Sequence, residues 1–309
     1  MKILFYSPEN NLQPWLDEIG TAFPLAEVWA WTPDCVGRQA DFAVLWAPPV
    51  ELLASQRELK AVFNIGAGVD GLMRLPNLPA GVPIVRLNDA GMAVQMAEYV
   101  CHALIRHTRG FAVYEGHAKA GEWKREPAID RGAFPVGVMG LGNMGARVAQ
   151  SVAGFDYPVF GWSRTTKSLP GIQTFSGRVG LDEFLPRARV LVCVLPLTPD
   201  TEGILNAATL EKLKPGAYLI NVARGRHLVE NDLLAMLASG RLAGATLDVF
   251  REEPLPPGHA FWKHPKITIT PHISALTLRA ESVEQIAEKI RAMERGEMIE
   301  GVVETGRGY

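Results

Sequence analysis

The chain has 309 residues, of which 48% are hydrophobic and 21% are charged, and its net charge at pH 7 is −2. This length suffices for two domains of an ordinary globular protein. A net charge this close to zero does not indicate nucleic-acid binding. Pro, Gly or charged residues interrupt each apolar run before it could span a membrane. We therefore expect the protein to bind neither nucleic acid nor a membrane.

Short apolar runs alternate with helical patterns in the first third of the chain, which is typical of a parallel sheet. The runs predict strands at residues 3–6, 27–31, 42–46, 61–65 and 84–86. A long helix is predicted from Met92 to about Lys119, because Met96, Val100 and Leu104 recur at helical spacing.

A second series of strands follows this helix. It is predicted at residues 136–139, 159–162, 190–195, 217–222, 245–249 and 267–270. Six strands match the count of a doubly wound dinucleotide-binding fold. A last helix is predicted over residues 276–295 and ends at Gly296. If it packs on the first domain, residues 99–274 form a domain inserted into one made of residues 1–98 and 275–309.

The first strand of the second series runs into a glycine-rich turn. Residues 136–145 read VGVMGLGNMG, and a predicted helix follows. In this strand–turn–helix context the Gly-x-Gly-x-x-Gly pattern indicates dinucleotide binding. Gly140 allows the tight turn, Gly142 lets the backbone approach a pyrophosphate, and Gly145 lets the helix pack on the strand. The helix N-terminus favours the phosphates.

The next strand lacks the acidic residue that an NAD site usually places on the ribose hydroxyls. It ends instead in Ser163, Arg164, Thr165, Thr166 and Lys167. A guanidinium, hydroxyls and an ammonium suit a 2′-phosphate, so the sequence predicts NADP(H) as the cofactor. The alternative is that these cations belong to an ordinary solvated loop.

Further polar residues follow predicted strands, at the carboxyl ends where open α/β sheets bind ligands. An arginine (Arg224), two carboxylates (Glu252 and Glu253) and a histidine (His272) follow three strands in succession, and a glycine-rich turn at residues 66–69 follows a strand of the first series. A lone histidine or arginine at such a place is more often structural. An arginine, a carboxylate and a histidine in this order predict a reaction site.

The cysteines and histidines do not indicate a disulfide or a metal site. Cys35, Cys101 and Cys193 are widely spaced and form no Cys-x-x-Cys pattern, so neither a disulfide framework nor a zinc site is expected. The seven histidines show no His-Glu-x-x-His pattern, and we predict no metal. The N-terminus lacks the features of a signal peptide, which together with the cysteines predicts a cytoplasmic protein.

Taken together, these motifs resemble the D-2-hydroxyacid dehydrogenase family, and the chain is most similar to its glyoxylate/hydroxypyruvate reductase branch. The resemblance runs from the opening strand through residues 45–50 (LWAPPV) to the terminal Arg307-Gly308-Tyr309. It implies an α/β fold of two doubly wound parallel-sheet domains, a Rossmann cofactor domain inserted into a flavodoxin-like substrate domain.

The resemblance also implies an Arg–Glu–His catalytic set at Arg224, Glu253 and His272. His272 would protonate the carbonyl oxygen as hydride reaches the carbonyl carbon. Glu253 would orient the imidazole and favour its protonated form. Arg224 would grip the substrate carboxylate and stabilise charge on the carbonyl oxygen.

The turn at residues 66–69 resembles the family's substrate loop. Amides of Ala67, Gly68 and Val69 would accept the carboxylate, and Trp46 would wall the pocket. A plain tight turn and a packing aromatic are the alternatives.

The resemblance implies further cofactor contacts. Amides of Asn143 and Met144 would meet the pyrophosphate, and Asp248 would face the nicotinamide carboxamide unless it merely helps to end a strand. The full predicted cofactor set is Gly140, Gly142, Asn143, Met144, Gly145, Ser163, Arg164, Thr165, Lys167, Leu195, Pro196, Leu197, Thr201, Val222, Ala223, Asp248, His272 and Ser274.

The leading hypothesis is NADPH-dependent reduction of small 2-oxoacids, glyoxylate to glycolate and hydroxypyruvate to D-glycerate. The resemblance implies a homodimer, with residues 116–135 as its arm and Trp123 within it. A bulkier 2-oxoacid, such as phenylpyruvate, is the first alternative. A corepressor-type protein that senses nicotinamide nucleotides is the second, disfavoured by the complete catalytic set.

Overall fold

The computed structural model describes residues 1–8, 10–35, 37–66, 68–76 and 78–303. The chain divides into two compact units. The first unit comprises Met1–Met92 and the segment that begins at Thr277, and the second comprises Ala93–Leu276.

Strands and α-helices alternate along the described part of the chain. The strands are β1 (Lys2–Tyr6), β2 (Glu27–Ala30), β3 (Phe42–Leu45), β4 (Ala61–Asn64), β5 (Ile84–Arg86), β6 (Val136–Met139), β7 (Val159–Ser163), β8 (Gln173–Ser176), β9 (Val190–Cys193), β10 (Ala217–Asn221), β11 (Leu242–Leu247) and β12 (Ile267–Ile269). The helices are α1 (Gln13–Ala22), α2 (Val50–Ser55), α3 (Asp70–Met73), α4 (Met92–Thr108), α5 (Phe111–Ala120), α6 (Asn143–Ala153), α7 (Gly177–Phe184), α8 (Ala207–Leu210), α9 (Glu230–Ala238) and α10 (Arg279–Glu294). None of these helices is long and apolar enough to cross a membrane.

The first unit is built on a parallel sheet of five described strands in the order β2-β1-β3-β4-β5. This is the flavodoxin-like order. Every residue of β3 and β4 is buried, as expected for central strands covered on both faces. Helix α10 returns from the end of the chain to pack against α1.

The second unit is built on a parallel sheet of seven described strands in the order β12-β11-β10-β9-β6-β7-β8. The strand order reverses between β6 and β9, which is where doubly wound sheets open a crevice for a ligand. Strands β6, β9 and β10 are buried throughout. Cys193 in β9 is a core residue, and burial raises the pKa of its thiol to about 12.

The two parallel-sheet α/β units confirm the predicted fold class. Three details of the element predictions were wrong. The second sheet has a seventh strand, β8, which is short, polar and at the sheet edge, so it lacks an apolar run. The helix predicted over residues 92–119 is two helices, because Gly110 adopts a φ of 64° between them. The last helix begins at Arg279 rather than near residue 276.

Candidate active site

The three glycines of the turn after β6 differ in what surrounds them. A Cβ on Gly140, which has a φ of +98°, would lie 2.7 Å from the backbone oxygen of Val194, and one on Gly145 would lie 1.7 Å from the oxygen of Gly140. These two positions are closed to side chains by the protein itself. A Cβ on Gly142 would meet nothing within 4 Å, so its surroundings leave room for a ligand.

The turn leads directly into a helix N-terminus. Gly142 is the N-cap of α6, and its carbonyl accepts the amide of Ala146 at 2.8 Å. This is the first hydrogen bond within the helix. The amides of Asn143, Met144 and Gly145 come before it in sequence, where the N–H groups of a helix have no intrahelical acceptor. Such a cradle fits a pyrophosphate.

The loop after β7 carries cations and no carboxylate at residues 163–168. Ser163 is buried, and its hydroxyl donates to the carbonyl of Thr165 at 2.7 Å. Arg164, Thr165 and Lys167 are exposed, and the hydroxyl of Thr174 donates to the carbonyl of Lys167 at 2.6 Å. The backbone of this loop is therefore shaped by hydroxyls, while its charged side chains reach solvent.

Arg224 follows β10, three residues beyond Asn221. Val222 and Ala223 are buried, whereas Arg224 is partly exposed and its Nη1 donates to the carbonyl of Ala223 at 2.7 Å. A Cβ on Gly225 would lie 1.8 Å from the carbonyl carbon of Phe250. Gly225 therefore lets the Arg224 loop pass against the chain that leaves β11.

Glu253 and His272 form a hydrogen-bonded pair at the ends of β11 and β12. Nδ1 of His272 lies 2.7 Å from Oε2 of Glu253, and the amide of Phe250 donates to Oε1 at 2.8 Å. Burial raises the pKa of Glu253, but the hydrogen bonds from His272 and Phe250 and the charges of His272 and Arg224 lower it further, to below its ordinary value. Glu253 is therefore a carboxylate at neutral pH. It orients the imidazole and leaves Nε2 to face other groups.

The backbone of His272 is left-handed, with a φ of 55°, which is unfavourable for a residue with a Cβ. The fully buried carboxylate of Asp248 holds this conformation. Oδ1 accepts the amide of Ile273 at 2.9 Å, and Oδ2 accepts the amide of Ser274 at 2.7 Å. Thr270 also donates to Oδ1 and is hydrogen-bonded to the hydroxyl of Tyr99. Asp248 therefore anchors the histidine loop, and its contact with the nicotinamide carboxamide stays a prediction.

The loop after β9 holds four of the predicted cofactor residues together. Leu195 is buried, while Pro196 and Leu197 are more exposed. The hydroxyl of Thr201 accepts the amide of Thr198 at 2.8 Å and donates to the carbonyl of Pro196 at 2.7 Å. The loop is therefore closed on itself by one hydroxyl.

The predicted substrate residues other than Arg224 lie in the first unit. Asn64 is buried at the end of β4, and its Nδ2 donates to the carbonyls of Gly66 and Gly68 at 2.7 and 3.2 Å. Val69 is buried, and the ring of Trp46 lies so close to Gly66 that a Cβ there would be 1.9 Å from it. Ala67 lies outside the described residues. The turn and Trp46 are thus neighbours, and their contact with substrate stays a prediction.

Sequence reasoning missed several residues that shape these loops. It did not single out Tyr99, Thr270, Asn64 or His227, a buried histidine beside Arg224. Tyr99, Thr270 and His227 contact residues distant in sequence, for which no local pattern exists. Asn64 contacts carbonyls of the turn that follows it. Among the described residues, no group of three or more His, Cys, Asp or Glu side chains is arranged to hold a metal ion.

Comparison with known proteins identifies the family. Residues 101–274 match the family model for the NAD binding domain of D-isomer specific 2-hydroxyacid dehydrogenases. The chain belongs to the D-isomer specific 2-hydroxyacid dehydrogenase family and is an NAD(P)-dependent oxidoreductase. The predicted family and enzyme class are confirmed.

Three solved structures are similar over nearly all of both chains. A D-isomer specific 2-hydroxyacid dehydrogenase from Xanthobacter autotrophicus Py2, in complex with NADPH and MES, has 38% identity and a TM-score of 0.94, covering 100% of this chain and 99% of that chain. An NADPH-dependent glyoxylate/hydroxypyruvate reductase from Sinorhizobium meliloti, in complex with NADP and sulfate, has 36% identity and a TM-score of 0.92, with the same coverage. A probable 2-hydroxyacid dehydrogenase from Rhizobium etli CFN 42, in complex with NADP, HEPES and L(+)-tartaric acid, has 32% identity and a TM-score of 0.91, again with the same coverage.

Gly142→Ala tests whether the open space at the glycine turn is a ligand site. Since the new methyl group meets no protein atom, we expect the free energy of unfolding to change by no more than about 1 kcal/mol. The methyl group would obstruct a pyrophosphate, so the Kd for NADPH should rise about tenfold or more in a fluorescence titration. Gly258→Ala is the matched control, since a Cβ there also meets nothing within 4 Å. Equal affinity in both variants would refute the assignment.

Glu253→Gln tests the pairing of carboxylate and imidazole. Because the pKa of Glu253 is held below its ordinary value, its side chain is a carboxylate that accepts the hydrogen bond from Nδ1 of His272. Glutamine has nearly the same shape but no charge, so kcat for reduction should fall about tenfold or more while the Kd for NADPH stays within about threefold of wild type. The exposed neighbour Glu252→Gln is the control and should leave kcat in place. An unchanged kcat in Glu253→Gln would contradict the pairing.

Proposed function

We propose that this enzyme is an NADPH-dependent reductase of small 2-oxoacids, which converts glyoxylate to glycolate and hydroxypyruvate to D-glycerate. The observation that carries the proposal is the pair His272–Glu253, at 2.7 Å, on the strand ends next to that of Arg224. The S. meliloti relative, described as an NADPH-dependent glyoxylate/hydroxypyruvate reductase, supports the substrate class.

His272 would act as the general acid. With Nδ1–H donated to Glu253, the imidazolium holds its second proton on Nε2 and transfers it to the carbonyl oxygen of the substrate. The neutral ring that remains keeps its bond to Glu253, so the carboxylate orients the imidazole before and after the transfer.

Arg224 would bind the carboxylate of the 2-oxoacid and stabilise the negative charge that develops on the carbonyl oxygen. Its planar guanidinium matches a carboxylate in a bidentate arrangement. In the first unit, the turn at Gly68 and Val69, with Trp46 beside it, would offer amides of the kind that bind a carboxylate. The small size proposed for the substrate rests on the similarity to the S. meliloti enzyme.

When bound, NADPH supplies the hydride that reduces the carbonyl carbon. The open space at Gly142 and the first turn of α6 fit its pyrophosphate. Ser163, Arg164, Thr165 and Lys167 would hold the 2′-phosphate, since that loop offers cations and hydroxyls without a carboxylate. The loop at residues 195–201 and the residues Val222, Ala223, Asp248 and Ser274 would complete the nucleotide site.

We also propose a homodimer in the cytoplasm. Helix α5 has no buried residue, its apolar side chains Phe111 and Val113 are exposed, and Trp123 in the segment after it is 96% exposed. A second copy of the chain would cover this apolar surface. The free cysteines Cys35, Cys101 and Cys193 suit a reducing compartment.

Initial-rate kinetics on a panel of 2-oxoacids, with NADPH and NADH in parallel, test the activity. We expect turnover of glyoxylate and hydroxypyruvate, with kcat/KM at least about tenfold higher for NADPH, because the 2′-phosphate forms charge-assisted hydrogen bonds. His272→Ala should lower kcat by about 10²–10⁴-fold while the Kd for NADPH changes by less than about threefold. Nucleotide binding without turnover would indicate a sensor instead, and a preference for phenylpyruvate would replace the substrate assignment.

Sedimentation of the purified chain tests the homodimer. We expect the mass of a dimer for the wild type. Replacing the exposed Phe111 and Trp123 with Ser should shift the equilibrium towards monomer, because the apolar area at the interface is lost. Replacing the exposed Phe155, which lies outside α5 and the arm, is the control and should have no such effect. A wild type that sediments as a monomer would rule the dimer out.

A further inference from the structure

His227 is a fully buried histidine that contacts two loops of the candidate site. It ends the short helical turn Gly225–His227, and its side chain has no exposed surface. Nδ1 lies 3.2 Å from the backbone nitrogen of Arg224, and Nε2 lies 3.3 Å from the carbonyl oxygen of Pro196. No role proposed above uses this residue.

We assign the position of the proton on the ring from its hydrogen-bond partners. The amide of Arg224 can only donate, so Nδ1 accepts, and a neutral ring then carries its proton on Nε2 and donates it to Pro196. Nδ1 also lies 3.0 Å from the carbonyl oxygen of Arg224. A neutral ring protonated there instead would leave the Arg224 amide without this acceptor and turn a lone pair towards the oxygen of Pro196. In a buried site, the tautomer protonated on Nε2 is the favoured one.

The backbone of Arg224 is fixed on both sides. Besides the bond from its amide to His227, its carbonyl accepts Nδ2 of the buried Asn221 at 3.2 Å and the backbone amide of His227 at 3.2 Å. The guanidinium therefore extends from a backbone whose direction is set by neighbouring buried groups. A residue that must hold a substrate at a defined position benefits from such support.

The other end of the imidazole reaches the loop after β9. The carbonyl of Pro196 accepts both Nε2 of His227 and the hydroxyl of Thr201, which closes that loop. The carbonyl of His227 accepts the amide of Leu205 at 2.9 Å, so the segment after the loop is joined to the same histidine. The Arg224 loop and the loop at residues 195–201 are thus connected through one side chain.

We propose that His227 is a positioning residue for the reduction, whose imidazole fixes the Arg224 backbone relative to the loop at residues 195–201. This inference rests on the proposed function, in which Arg224 binds the 2-oxoacid and that loop forms part of the nucleotide site. His227 contacts neither ligand in this role. It sets the separation of the groups that do, and a misplacement of about 1 Å can cost about 100-fold in rate.

His227→Phe and His227→Gln separate positioning from packing. Phe fills the space without polar atoms, and we expect the KM for glyoxylate to rise about tenfold and kcat to fall about tenfold, with the Kd for NADPH within about threefold of wild type. The amide of Gln provides both an acceptor and a donor, and should restore both constants to within about threefold. His107→Phe is the control, because His107 is a partly buried ring stacked on Tyr218 at a centroid distance of 3.9 Å, and it should leave KM unchanged.

A double-mutant cycle with Arg224→Lys then tests whether His227 acts through Arg224. If it does, the effect of His227→Phe on KM should shrink to less than about twofold in the Arg224→Lys background. An undiminished effect there, or a lower Tm with wild-type KM, would overturn the proposal.

If the Phe variant does not fold, His227→Asn replaces it. Its amide reaches the Arg224 amide but is too short for Pro196, and an unchanged KM would overturn the proposal equally. An inert wild type would instead refute the proposed function, and the inference with it.

Discussion

The geometry of the candidate site depends on the buried carboxylate of Asp248. A buried charge is costly unless hydrogen bonds compensate it, and here the amides of Ile273 and Ser274 and the hydroxyl of Thr270 do so. These donors flank His272 on both sides. The compensation that Asp248 requires is therefore the same set of bonds that forces the chain through the left-handed conformation at His272. The same hydrogen bonds therefore stabilise the buried carboxylate and set the geometry of the candidate site.

Two carboxylates close together in sequence thus have different environments and different tasks. Asp248 has no exposed surface, and its hydrogen bonds come from groups that cannot titrate near neutral pH. The side chain of Glu253 is 36% exposed and is hydrogen-bonded to the imidazole of His272, which is 39% exposed. The first arrangement fixes a backbone, and the second leaves the imidazole accessible to a ligand. The proposed proton transfer therefore involves the pair that is open to solvent.

Sequence reasoning located the parts of the candidate site that follow from local rules. The glycine turn could be predicted because strand, turn and helix are contiguous, and an arginine, a carboxylate and a histidine could be predicted because each follows a strand of a parallel sheet. The resemblance to the family then selected Glu253 over Glu252. Strand β8 was missed because an edge strand with polar residues has no apolar run. The break at Gly110 was missed because one glycine within a helical pattern is compatible with either outcome.

What the sequence could not provide is the set of contacts between loops that are distant in sequence. Gly225 is an example. A glycine is needed there because the backbone of Phe250 lies only 1.8 Å from where a Cβ would be. The same holds for His227, whose importance depends on Pro196, 31 residues earlier in the chain. Parallel strands bring such loops together at one edge of the sheet, but side-chain length and direction decide which of them meet. The strand ends are therefore predictable as the location of a site, whereas the residues that hold its loops in register are properties of the folded molecule.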